Sequence, residues 1–184
     1  MPWANRIKKI WPTQRYTGVF DGVNDYATKT VSDFRSSDSL GAVFVRFKYT
    51  GSGIPSYFIG SCDTADINYY FSFGISVNNT LRVSQKNNDT ADVIIGNTTV
   101  NDGKWHEAIL VSSGTSYTMY LDGVSEGVLN VNSGANNGDW FADTTSRDNI
   151  TVSGALLSSF VAPFAGSIDE VIVSSSVPSA SQIT

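Results

Sequence analysis

The chain has 184 residues and a mass of 19.8 kDa, with 41% hydrophobic, 12% aromatic and only 16% charged residues. That balance excludes a disordered chain, which combines few aromatics with high net charge, and no run of about 18 apolar residues is present to form a membrane-spanning helix. One cysteine, Cys62, and one histidine, His106, exclude an intrachain disulfide, a multi-cysteine zinc site and a paired-histidine metal site.

The N-terminus stands apart from the rest. Residues 1–15 carry Arg6, Lys8, Lys9 and Arg15 and no acid, a charge of +4, which leaves −9 on residues 16–184 against the total of −5. Trp3, Ile7, Ile10 and Trp11 fall at helical spacings, Arg6 and Lys9 share the other side, and Pro12 closes the run. A helix this short cannot hold itself in water, so it needs a surface: the chain's own sandwich, an anionic membrane or a partner protein. The expectation is a docking arm, residues 1–15, built on Trp3, Arg6, Ile7, Lys9, Ile10 and Trp11, that attaches the body, residues 16–184, to a larger protein assembly. The segment MPWANRIKKIW has no apolar core of the length that a secretory leader needs, so synthesis without a classical signal peptide is expected. The acidic body is unsuited to nucleic acid, because phosphate contact needs cationic surface.

Strand patterns then follow one another. In GAVFVRFKYT, 41–50, Val43, Val45, Phe47 and Tyr49 alternate with Arg46 and Lys48, the period of a half-buried antiparallel strand. Segments 56–61, 69–77, 80–85 and 91–96 repeat the pattern between Gly, Asn and Asp clusters. Segment 104–129 reads as two strands, the second ending at Asp122-Gly123, a hairpin signal. In its first strand either Trp105, Ile109 and Val111 face the core, or Ala108 and Leu110 do, with both faces part-buried. Residues 132–149 are polar and lack a period, and loops of that length are usually functional or ordered by a partner. Strands at 149–154 and 166–175 and a helical turn at 178–183 close the chain. Many short strands and almost no helix imply an all-β fold, either a two-sheet antiparallel sandwich or a closed barrel.

Three blocks carry a family resemblance. FDGVNDY, 20–26, resembles the opening strand of the concanavalin A-like lectin/glucanase superfamily, in its laminin-G-like jelly-roll form. DGKWHEAILVSSGTSYTMYLDGV, 102–124, resembles the central hairpin of that fold, and GSIDEVIVSSSVPSASQI, 166–183, its closing strand and tail. The resemblance spans about residues 16–184 and implies a jelly-roll β-sandwich, with Trp105 buried. It does not fix function, because this fold hosts lectins, adhesion modules, hydrolases and virion proteins.

Relatives that cleave β-glucans use two glutamates on one strand, and retaining hydrolysis needs two carboxyls about 5–5.5 Å apart. Glu107, Glu126 and Glu170 stand on separate segments, and the adjacent Asp169 and Glu170 point to opposite sheet faces, so a hydrolase is disfavoured and a non-enzymatic module expected. Cys62 and His106 carry no local nucleophile signature. The resemblance implies a structural calcium ion, with Asp21 and Asp169 as carried-over ligands. Sugar sites combine aromatic faces with amide and backbone donors. Trp140 and Phe141, in the Asn/Gly/Asp-rich loop, and Tyr69 and Tyr70, with Tyr57 nearby, are the glycan-binding candidates. The leading expectation is a lectin-like binding module displayed on a virion surface, as a phage capsid decoration, fibre or tail protein anchored by its arm to capsid or tail proteins. The alternative is a free or secreted calcium-dependent lectin.

Overall fold

The computed structural model describes residues 17–183. In chain order the strands are β1 (Gly18–Asp21), β2 (Ala27–Thr30), β3 (Gly41–Tyr49), β4 (Ser56–Cys62), β5 (Tyr69–Ile75), β6 (Thr80–Asn87), β7 (Asp92–Thr99), β8 (Trp105–Ser112), β9 (Tyr117–Leu121), β10 (Val124–Ser125), β11 (Asn130–Ser133), β12 (Asn149–Val152), β13 (Ala155–Leu156), β14 (Phe160–Val161) and β15 (Ala165–Ser174). A single 3-10 turn, Phe141–Asp143, and a terminal turn of helix, α1 (Ala180–Ile183), complete the described residues. No helix among them is long and apolar enough to cross a membrane.

Thirteen of the strands form two antiparallel sheets, and β13 and β14 pair as a separate hairpin. One is six-stranded, in the order β1-β15-β3-β8-β9-β10, and the other seven-stranded, in the order β11-β7-β6-β5-β4-β12-β2. This is the expected sandwich and not a closed barrel. The alternation of β3 works as the sequence implies: Val43, Val45, Phe47 and Tyr49 are buried, and Phe44, Arg46 and Lys48 between them are half-exposed. Phe71, Phe73 and Ile75 of β5 and Leu81 and Val83 of β6 face them from the other sheet. Phe47, Phe58 and Phe164 meet at the centre, with ring centroids 4.5–6.3 Å apart. At these distances tilted and edge-on pairs add to plain area burial.

Strand β8 settles the open phase. Ala108 and Leu110 enter the central core, opposite Val45 and Val43, while Ile109 and Val111 point to the outer face. There they join Ala42, Phe44, Tyr120 and Ile183 of α1 in a small outer cluster. Trp105 follows the outward set. It is 39% exposed, and the Arg46 guanidinium lies 4.9 Å from its ring centroid, so the expected burial of Trp105 is corrected. The residue that turns inward is its neighbour His106, in register with Phe47 and 5.8 Å from that ring.

The long polar stretch is not a displayed loop. Residues 134–148 close one end of the sandwich. Trp140 and Phe141 are fully buried, packed on Phe71 and on each other at 4.6–5.2 Å. Arg147, 1% exposed, donates to the carbonyls of Phe34, Phe141 and Thr144 and to Ser61 Oγ, at 2.5–2.9 Å. Burial draws its pKa down to about 10, against the opposing charge of Asp33. Gln85 Nε2 donates to Thr144 Oγ1 at 2.6 Å, which fastens the same segment to β6.

Candidate functional site

The outer face of the seven-stranded sheet gathers aromatic, cationic and hydroxyl side chains from several strands. Cross-strand register places Tyr57 opposite Gly74, Gly74 opposite Arg82, Arg82 opposite Ile95 and Ile95 opposite Asn130, one row running from β4 to β11. Since Phe73, Leu81, Val83 and Ile94 point into the core, alternation sends this row outward. Gly60, Ser72, Ser84 and Val93 form the next row, and Cys62, Tyr70 and Lys86 part of a third. These three rows contain no carboxylate, although the body as a whole is acidic.

Three of these side chains form the centre. The Arg82 guanidinium lies 5.4 Å from the Tyr57 ring centroid and donates to the Tyr57 hydroxyl. Ser84 Oγ donates to the Tyr70 hydroxyl at 3.4 Å. Burial raises the Tyr70 pKa, with the neighbouring Tyr57 adding to the shift and Ser84 and Arg82 opposing it. Gly74, in register between Tyr57 and Arg82, lets the β4 backbone approach β5 closely. A Cβ there would collide with the Ser56 carbonyl and the Tyr57 Cα, where β4 is irregular between Tyr57 and Ile59. Ser72 and Ser84, both fully buried, make a polar floor. The β13–β14 hairpin forms a wall on the β4 side: a Cβ at Gly60 would touch Ala155, and Tyr57 N donates to the Ala162 carbonyl at 2.9 Å.

The other sequence candidates are placed as follows. Trp140 and Phe141 are corrected from glycan platform to core, because both ring faces are spent on the sandwich end. Tyr70 lies in the outer-face centre. Tyr69, one residue earlier and half-buried, takes the opposite side of β5. Asp21 and Asp169 do not form a common calcium site. Asp21 is in register with Ala165, four residues from Asp169 along β15, a separation of roughly 13 Å at 3.3 Å per residue, whereas calcium ligands stand within about 2.6 Å of the ion. Asp21 Oδ1 instead accepts from Val23 N at 2.8 Å and Asn24 N at 3.3 Å, fixing the turn after β1. Asp169, with its side chain almost buried, is paired with Arg46 at 2.6 Å. The docking-arm residues Trp3, Arg6, Ile7, Lys9, Ile10 and Trp11 lie outside the described residues.

The glutamates are tied to separate tasks. Glu107 sits 3.7 Å from Arg46, Glu170 is in register with Arg46, and buried Glu126 accepts from the amides of Asn97 and Thr98. Cys62, its thiol pushed up to about 12 by burial, is in β4, and His106 is in β8 of the other sheet. His106 is clasped by two aspartates, with Nδ1 2.8 Å from Asp122 and Nε2 3.0 Å from Asp102.

Arg82 and Lys86 were missed by the sequence reading as site residues, although the alternation of TLRVSQK already sets them opposite Leu81 and Val83. What the sequence does not show is which strands flank β6.

Comparison with known proteins agrees with this fold. A family model described as the concanavalin A-like lectin/glucanases superfamily matches residues 14–184. The carbohydrate-binding module (CBM40) of the Ruminococcus gnavus IT-sialidase, solved with α2,3 sialyllactose, superposes with a TM-score of 0.70 at 14% identity, covering 91% of this chain and 96% of that one. Domains LG4-5 of the mouse laminin α1 chain give 0.61 at 19% identity, covering 87% and 40%. The heptameric SAP-like pentraxin of Limulus polyphemus gives 0.60 at 15% identity, covering 91% and 79%. No curated protein matches at the level of sequence. At these identities the structures establish the shared fold.

They also correct one expectation. These similar structures are modules of bacterial and animal proteins, not capsid or tail components, so the virion surface and the capsid or tail partners are withdrawn. The sialidase segment matched over almost its whole length is a carbohydrate-binding module. The chain is a two-sheet β-sandwich, and it belongs to the concanavalin A-like lectin/glucanase superfamily.

Proposed function

We propose that this module binds glycans on the outer face of its seven-stranded sheet, as a free or secreted lectin, with Tyr57, Arg82 and Tyr70 as the centre of the site. The observation that carries this reading is the Arg82 guanidinium on the Tyr57 ring, with Tyr70 beside it, on a face whose three central rows hold no carboxylate. Tyrosine rings offer apolar faces to the C–H side of a sugar and hydroxyls to its rim. A guanidinium pairs a carboxylate through two parallel hydrogen bonds. Together they suit an acidic sugar, and the sialyllactose bound to the Ruminococcus gnavus module is one. The face has no carboxylate in those rows to hold a bridging calcium ion, so recognition runs through side chains directly.

A glycan array in which acidic oligosaccharides are compared with their neutral counterparts, with and without chelator, tests this. Retention on acidic glycans, unchanged by chelator, is the expected result. Retention on none, or retention that needs calcium, contradicts it.

A further inference from the structure

Beside the Arg82 centre the same face deepens into a second feature. A cleft of ≈ 340 Å³ is lined by Asn78, Thr80, Ile95, Gly96, Asn97, Asn130, Val131 and Asn132. Its volume is at the small end of the roughly 300–1,000 Å³ of ligand clefts. Ile95 and Asn130 continue the row that holds Tyr57 and Arg82, so the cleft and the centre are parts of one surface. Two strand spacings separate Arg82 from Asn130, about 10 Å.

The chemistry of the cleft differs from that of the centre. Four of its eight lining residues are asparagines and none is charged. Asn97 is held rigidly: its Nδ2 donates to the carbonyls of Glu126 and Val128, at 2.6 and 3.0 Å, and its Oδ1 accepts from Asn130 Nδ2 at 2.9 Å. Among the described residues, Asn130 Oδ1 and its second N–H have no partner and are open to a ligand. The side-chain amides of Asn78 and Asn132 have no partner among the described residues. Ile95 and the exposed Val131 add apolar surface between the amides. A primary amide presents a donor and an acceptor side by side, which matches two neighbouring hydroxyls of a pyranose ring, and the apolar residues match its C–H face. An ionised sugar would gain no counter-charge here and would lose water.

We infer that this cleft is a second sugar subsite that takes a neutral pyranose unit, so the ligand of the face is an oligosaccharide crossing the strands from Arg82 to Asn130. The inference rests on the glycan-binding reading above and extends it from one acidic unit to an acidic unit joined to a neutral one.

The test is nuclear magnetic resonance of the ¹⁵N-labelled protein, following the side-chain resonances of Arg82, Asn78, Asn130 and Asn132. The probes are lactose, N-acetyllactosamine and cellobiose as neutral sugars, free N-acetylneuraminic acid as the acidic one, and 3′-sialyllactose as the joined ligand. At least one neutral disaccharide is expected to shift the asparagine amides and leave Arg82 in place. The joined ligand is expected to shift both groups and to bind about tenfold more tightly than the free acid. In Asn130→Ala/Asn132→Ala, two exposed positions, that tenfold gain is lost while the affinity for the free acid stays. Asparagine resonances unmoved by every neutral sugar and by the joined ligand overturn the inference, as does a gain that survives in the double variant. If the asparagines respond and Arg82 never does, the neutral subsite stands and the acidic centre falls.

Discussion

Arg82 and Tyr57 sit two strands apart, yet the guanidinium lies 5.4 Å from the tyrosine ring centroid, across Gly74 of the strand between them. The pair is half-exposed, so each partner meets both the protein and the solvent. Tyr57→Phe keeps the ring and removes the hydroxyl that accepts from Arg82. Glycan affinity should fall about fivefold, the equivalent of ~1 kcal/mol, with the melting temperature nearly unchanged. Titration calorimetry on both proteins checks this, and equal affinities would remove the hydroxyl from the site.

The end of the sandwich depends on Arg147. Its guanidinium satisfies three buried carbonyls and Ser61, and a shorter side chain leaves them unpaired in a dry interior. Arg147→Ala should cost about 3–5 kcal/mol of unfolding free energy, read from urea denaturation. A loss below ~1 kcal/mol would mean that the 134–148 segment is held by Trp140 and Phe141 alone.

The sandwich was legible because its strands alternate cleanly. Val43, Val45, Phe47 and Tyr49 against Arg46 and Lys48 leave one choice of face. Strand β8 was ambiguous for a physical reason: its outer face also packs, with Ile109 and Val111 on Phe44, Tyr120 and Ile183, so both phases look apolar. Trp140 and Phe141 lie in a stretch with no period and the composition of a sugar-binding loop. Their burial is decided by a distant partner, Phe71, which local pattern cannot reveal. The site centre was half-visible. Tyr70 was read as a candidate, but Arg82 acquires its role only through the β4-β5-β6 order.

His106 joins two turns of the six-stranded sheet through Asp102 and Asp122. Burial acts to lower its pKa, but hydrogen bonds and charge from the two aspartates outweigh this, and the net shift is upward. The folded state therefore favours the imidazolium. That stabilisation is complete below the ordinary histidine value of about 6.5 and is lost as pH rises through the higher folded-state value. Wild type should lose more thermal stability between pH 6 and pH 9 than His106→Gln does, measured by calorimetry. Parallel curves for the two proteins would exclude the clasp as a contributor.

Asp139 works with the same sign from the opposite charge. Burial, together with the neighbouring carboxylates of Asp143 and Asp92, pushes its pKa up to about 6. Holding it ionised above that pH costs folding free energy, and the cost disappears as pH falls towards the ordinary carboxyl value of about 3.9. Asp139→Asn should melt at a higher temperature than wild type at pH 7.5, with the difference gone at pH 4. A variant that melts lower at both values would show that the carboxylate is needed for its hydrogen bonds.

The central claim is that glycans bind the outer face of the seven-stranded sheet, and a pair of variants on opposite faces of the sandwich tests it most directly. Arg82→Ala alters that sheet at a half-buried residue, and Trp105→Ala alters the outer face of the six-stranded one at an exposed residue. Affinity for 3′-sialyllactose, measured by titration calorimetry on folded protein, should fall more than tenfold in Arg82→Ala and stay at the wild-type value in Trp105→Ala. Loss of binding in Trp105→Ala with binding kept in Arg82→Ala would place the glycan on the other sheet and contradict the account.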